Sequence, residues 1–194
     1  DLNSTGALQR YQQQRAADTI TYVNITTAMG TTSKSEIEAG GLNGVANIHP
    51  TNKYTVGLRL SNLALAKKYS IAPNANPIWQ VQGITSSAQI TNIPVIFGEK
   101  EDLPPIGTFL KGFALKNSAG KFFYADSAKV KSINSATGVV VVEVKSTVVT
   151  NPLEIRFQWA TNPVLSHLGA KTKAPLLPFC AVKENNSWKA CGDL

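Results

Sequence analysis

The chain has two cysteines, one methionine and two histidines in 194 residues. Only 16% of its residues are charged, against a usual share of about 25%. Cys180 and Cys191 have no histidine cluster or further cysteine beside them, so no zinc site and no other metal site is expected. Long apolar runs are missing too. A stretch such as Val139 to Val142 falls far short of the roughly 18 to 20 residues of a membrane helix, so no membrane span is expected. The first residue is Asp1, with no basic segment and apolar run behind it, which leads us to expect a mature processed chain or a fragment without a signal peptide.

The basic excess, +7, is spread as +3 over the first hundred residues and +4 over the rest. The densest groupings are pairs such as Lys67-Lys68 and Lys129/Lys131. A nucleic-acid surface needs a clustered basic stripe with aromatics or a recognisable motif, so no nucleic-acid partner is expected and the lysines read as solvated faces.

Compartment is more legible. Three sequons, at Asn3, Asn24 and Asn185, offer glycosylation acceptors. The two cysteines flank the third, and a disulfide closing that short loop is the simplest account, the alternative being two unpaired thiols. A secreted, lysosomal or otherwise lumenal location is therefore expected.

Along the chain, residues 5–17 hold good helix formers with Leu8, Tyr11 and Arg15 at helical spacing, and Ile20 to Ala28 is rich in β-branched residues and reads as a strand. Residues 29–48, with four glycines, read as a long surface loop. After His49-Pro50, the stretch from Thr51 to Tyr69 places Val56, Leu60, Leu63 and Ala64 at i, i+4, i+7 and i+8, which predicts an amphipathic helix capped by Thr51 or Asn52. From about Ser70 the texture changes. Beyond the linker marked by Pro73 and Pro77, strand-like runs occupy 78–84, 88–97, 110–115, 121–124, 128–133, 139–144 and 153–159, separated by short turns such as Asn117 to Gly120 and Asn134 to Gly138. That spacing predicts an antiparallel sandwich. The tail, with Pro163, Pro175, Pro178 and the cysteine pair, is expected to run extended across the surface.

The α/β piece, one strand and two helices over about 70 residues, is too small to make a covered sheet by itself. Ile48-His49-Pro50-Thr51-Asn52-Lys53 and the later Leu63-Ala-Leu-Ala-Lys67 are similar to the segment around the catalytic histidine of the sialate O-acetylesterases, within the SGNH hydrolase superfamily. Further motifs of that family are resembled, in the same order, by Lys111-Gly-Phe113 with Gly120-Lys-Phe122, Ile155-Arg-Phe-Gln-Trp159 with Asn162-Pro163, and Leu177-Pro-Phe179. The resemblance runs from about residue 47 to 179 and is weaker over 8–30.

The resemblance implies an α/β plus all-β chain. Residues 1–72 would be the C-terminal segment of a flavodoxin-like SGNH hydrolase domain, 73–178 an antiparallel β-sandwich domain, and 179–194 a disulfide-closed tail. It implies a carboxylic ester hydrolase that removes O-acetyl groups from sialic acids or other sugars, with His49 as the catalytic base and no cofactor. A serine is a weak nucleophile until an imidazole accepts its proton. The Gly-Asp-Ser-like nucleophile turn is nowhere in this chain, so the serine would come from another chain or an N-terminal segment. Relatives carry an Asp two or three residues before the histidine, where this chain has Asn47 and Ala46. Either a Ser-His dyad operates, with a backbone carbonyl or the Asn47 amide oxygen orienting the ring, or this copy is inactive and serves as a structural or glycan-binding secreted glycoprotein. A lone adhesion sandwich is a third reading. His167 lies after the β domain, where the family has no catalytic residue, and reads as a surface group. Trp79, Trp159 and Trp188 read as core or interface aromatics, with a sugar-stacking platform as the sharper alternative.

Overall fold

The computed structural model describes residues 5–20, 53–70, 77–159 and 167–191. Among the described residues two helices, α1 (Thr5–Thr19) and α2 (Lys53–Lys68), precede ten strands. These are β1 (Ile78–Trp79), β2 (Thr85–Ser87), β3 (Ile90–Ile96), β4 (Phe113–Lys116), β5 (Phe122–Tyr124), β6 (Ser127–Asn134), β7 (Val139–Lys145), β8 (Glu154–Phe157), β9 (Phe179–Glu184) and β10 (Ser187–Ala190). The strand expected over residues 20–28 and the loop over 29–48 lie outside the described residues, apart from Ile20.

Among the described residues every strand pairing is antiparallel. One five-stranded sheet runs β1-β3-β7-β6, with β2 also on β3, and the other runs β10-β9-β8-β4-β5. The period-2 pattern explains the layering. Thr91, Ile93 and Val95 of β3 are buried and stand opposite Val144, Val142 and Val140 of β7. Ile93, Val95 and the three valines meet Phe113, Leu115, Ile155, Phe157, Phe179 and Ala181 from the second sheet in one apolar cluster. The predicted sandwich is thus observed, and the Val139 to Val142 run lies in the central strand of the first sheet.

One predicted strand, 78–84, is interrupted for a clear reason. The Pro94 carbonyl accepts from the Gln80 N–H at 2.8 Å, so residue 94 presents its backbone polar groups to this neighbour. Proline has no N–H to give in return, and the ladder breaks there. The chain makes a single 3₁₀ turn at Val81–Gly83 before pairing with β3 again as β2. Gly83 permits the close approach, because a Cβ there would lie 2.8 Å from Pro94 Cγ.

The closing segment also departs from expectation. Instead of crossing the surface as an extended tail, Phe179 to Ala190 forms a hairpin whose first strand pairs with β8. Asn185 and Asn186, with φ of 48° and 62°, make the two-residue turn of positive φ that matches the twist of the flanking strands.

Candidate functional site

Helix α1 is held on the outer face of the second sheet. Its predicted Leu8, Tyr11 and Arg15 face is the one used. Tyr11 is buried against Trp159, ring centroids 5.4 Å apart, and the two share a small cluster with Cys180 and Cys191. The Tyr11 hydroxyl donates towards the carbonyl oxygens of Cys180 and Cys191, each at 3.3 Å, and Arg15 Nη1 donates to the Cys191 carbonyl at 2.9 Å. The two cysteines form the expected disulfide, with Cα atoms 5.4 Å apart.

Beside this dock lies a buried cation. The Arg156 guanidinium sits 4.2 Å from the Phe122 ring centroid and 4.9 Å from that of Trp159. Its Nε donates to Glu154 Oε1 at 2.7 Å, and Lys116 Nζ donates to the other oxygen at 3.1 Å. Burying an arginine this deeply is tolerable only with such pairing, and the planar group gains from the aromatic faces. Glu154, Cys180 and Cys191 bring ligand-type atoms within 4.8 Å of one another, but the two sulfurs are bonded to each other and the carboxylate is committed to Arg156 and Lys116.

Helix α2 docks elsewhere, on the turn from Gly169 to Ala174. Among its described side chains Arg59 and Leu63 are buried, while Leu60, predicted on the inner face, is 52% exposed and Ala64 is exposed as well. The inner face is therefore rotated by about 65° from the apolar stripe, at 100° per residue. The reason is Arg59. Its Nε donates to the Lys173 carbonyl at 2.8 Å, and this bond to a charged donor outweighs the solvation of one leucine. Burial lowers the Arg59 pKa from its ordinary value, though an arginine stays protonated.

The turn that receives Arg59 is built around one carboxylate. Asp102 Oδ1 accepts from the Lys171 N–H at 2.7 Å and the Thr172 N–H at 3.2 Å, while Oδ2 accepts from the Thr172 hydroxyl. The Thr172 oxygen in turn accepts from the Ala174 N–H at 3.1 Å. Lys173, with φ of 56°, is left-handed, a strained conformation for a residue with a Cβ, and the Lys173 N–H closes the turn on the Gly169 carbonyl at 3.1 Å. Gly169 must be glycine because a methyl group there would fall inside the Asp102 carboxyl group. Lys171 Nζ donates to Glu99 at 2.6 Å, and this bond raises the lysine pKa above its ordinary value.

His167, read from the sequence as a surface group, is half-buried and belongs to this assembly. Its Nε2 lies 2.8 Å from the Asp102 carbonyl, and its ring meets Phe97 edge-on at 5.8 Å between centroids. The tryptophans are structural: Trp159 and Trp188 are buried, and Trp79 stacks on Phe179 at 5.0 Å. His49, Asn47, Asn3 and Asn24 lie outside the described residues, whereas Asn185 is exposed at the tip of the β9–β10 hairpin.

With this geometry in place, one solved structure is informative. The fold is similar to that of a carbohydrate acetylesterase from Xanthomonas citri. The TM-score is 0.54 and the identity 24%, over 70% of this chain and 29% of that one. This chain therefore spans less than a third of that protein's length. No protein-family model and no curated protein matches the sequence.

Arg59, Asp102, Thr172 and Lys173 were not singled out by sequence reasoning. One signal was there: Arg59 lies three residues after Val56 and four before Leu63, a cation flanking the predicted apolar face.

Proposed function

We propose that this chain is the histidine-bearing C-terminal portion of a carbohydrate O-acetylesterase of the sialate O-acetylesterase kind. In this reading, helix α2 belongs to a flavodoxin-like hydrolase domain, and the serine comes from an N-terminal segment or a second chain. The observation that carries the reading is the likeness in fold to a carbohydrate acetylesterase. His49-Pro50 immediately ahead of α2 supports it, as do the motifs distributed through the sandwich. His49 would accept the serine Oγ proton as the oxygen attacks the acetyl carbonyl, then pass that proton to the departing sugar hydroxyl. Water, deprotonated by the same imidazole, would attack the acetyl-enzyme and release acetate and the free serine. The Asn47 amide oxygen would orient the ring. The disulfide and the exposed Asn185 support a secreted or lysosomal setting with a glycan on that hairpin.

Acetate release from O-acetylated sialic acid by the full-length protein tests the proposal. Hydrolysis is expected, and binding of the sugar without any release would refute it. That second outcome is the glycan-binding reading, which the absence of an Asp at 46 and 47 favours.

A further inference from the structure

The geometry points to Arg59 as a positioning residue that fixes helix α2 to the β-sandwich, a role that deepens the esterase reading and rests on it. Arg59 is fully buried and donates to the Lys173 carbonyl at 2.8 Å. That carbonyl is aimed by a left-handed residue, inside a turn whose amides are gathered by the buried Asp102 carboxylate. The chain runs unbroken from Asp102 through Thr172 and Lys173 to Arg59, each link a hydrogen bond or a peptide unit. Asp102 itself ends a 3₁₀ turn at Lys100–Asp102, and the His167 ring binds its carbonyl.

Such an arrangement does more than cover surface. An apolar helix face can slide or rotate over its neighbour at small cost, but a buried guanidinium is held to the geometry of its acceptors, and losing one leaves a buried charged donor unsatisfied. The apolar stripe of α2 is turned away from its own optimum to satisfy that bond, leaving Leu60 exposed. The rotational setting of α2 is thus specified by Arg59. Three residues of chain separate His49 from the first residue of α2, so in the esterase reading this anchor sets where the base is presented.

The test uses the full-length protein with p-nitrophenyl acetate as probe, together with amide hydrogen exchange. Arg59→Met keeps the side-chain bulk and removes the bond. It should raise exchange of the α2 amides about tenfold or more while β7 and β8 keep their protection, which shows that the sandwich remains folded. It should lower kcat about 100-fold with KM changed less than about twofold. Arg59→Lys should restore a large part of both, and Asp102→Asn should reproduce a weaker form of both. Unchanged α2 exchange in Arg59→Met overturns the anchor. Loosened α2 with undiminished kcat overturns the positioning role. Hydrolysis that is absent from the wild type, or that persists in His49→Ala, refutes the esterase reading and the positioning role with it, while exchange still decides whether Arg59 anchors the helix.

Discussion

Removing the Cys180–Cys191 disulfide should loosen two elements at once. The bond closes a loop between residues 11 apart, and the chain-entropy estimate for that length is about 3 kcal/mol. The turn at Asn185-Asn186 does not diminish this, because the entropy is regained by the unfolded chain, where the turn is not populated. A second loss is local. The Cys191 N–H donates to the Cys180 carbonyl at 3.2 Å, and the carbonyls of both cysteines receive the Tyr11 hydroxyl. Without the covalent tie the end of β10 frays, and α1 loses the Arg15 and Tyr11 acceptors together. In Cys180→Ala/Cys191→Ala, urea denaturation should show a loss of about 3 kcal/mol, and the melting temperature should fall by roughly 6–12 °C for a chain of this size. Trp159, buried against Tyr11, reports the same event, since its emission should shift to the red before the main transition. A loss under about 1 kcal/mol, with α1 still resistant to protease, would refute the reasoning.

Three further outcomes follow from particular contacts. Phe157 is fully buried, 4.6 Å from the Phe113 ring and 5.0 Å from Trp79, so Phe157→Ala should cost about 3–5 kcal/mol in a denaturation experiment. Asp126 is held below its ordinary pKa by the Thr147 hydroxyl and N–H. Glu143, though burial pushes its carboxyl the other way, is lowered on balance by hydrogen bonds from Lys131 and Lys145. A lowered folded-state pKa adds stability above the usual carboxylate range and loses it as pH falls through the folded values, so thermal stability should decline on acidification, less steeply in Glu143→Gln. Asn47→Asp in the full-length protein should preserve or raise ester hydrolysis if that position faces the imidazole, as a rate assay against p-nitrophenyl acetate would record.

Much of the sandwich was legible because β-branched residues alternate in β3 and run through β7 and because the turns announce themselves. The Asn134 side chain accepts from the Ala136 and Thr137 N–H groups, and Gly138 takes a φ of 70°. The closing hairpin was not legible. Its prolines and cysteines read as an extended tail, and Asn185-Asn186 read as a glycosylation sequon although the same pair suits a turn of positive φ. The face of α2 was misjudged because hydrophobic spacing takes no account of a buried cation, and the carbonyl that receives Arg59 lies on a turn more than a hundred residues away. Nothing near Asp102 in sequence indicates that its carboxylate will organise residues 171 and 172. Of the predicted site residues, His49 and Asn47 lie outside the described residues, while Cys180, Cys191 and Asn185 are placed.

The most direct test of the central claim is acetate release by the full-length protein carrying His49→Ala, measured beside the wild type on O-acetylated sialic acid. Serine and histidine act as a unit in such enzymes, so the account predicts a fall of several orders of magnitude, with the thermal transition unchanged. A rate equal to that of the wild type would contradict it.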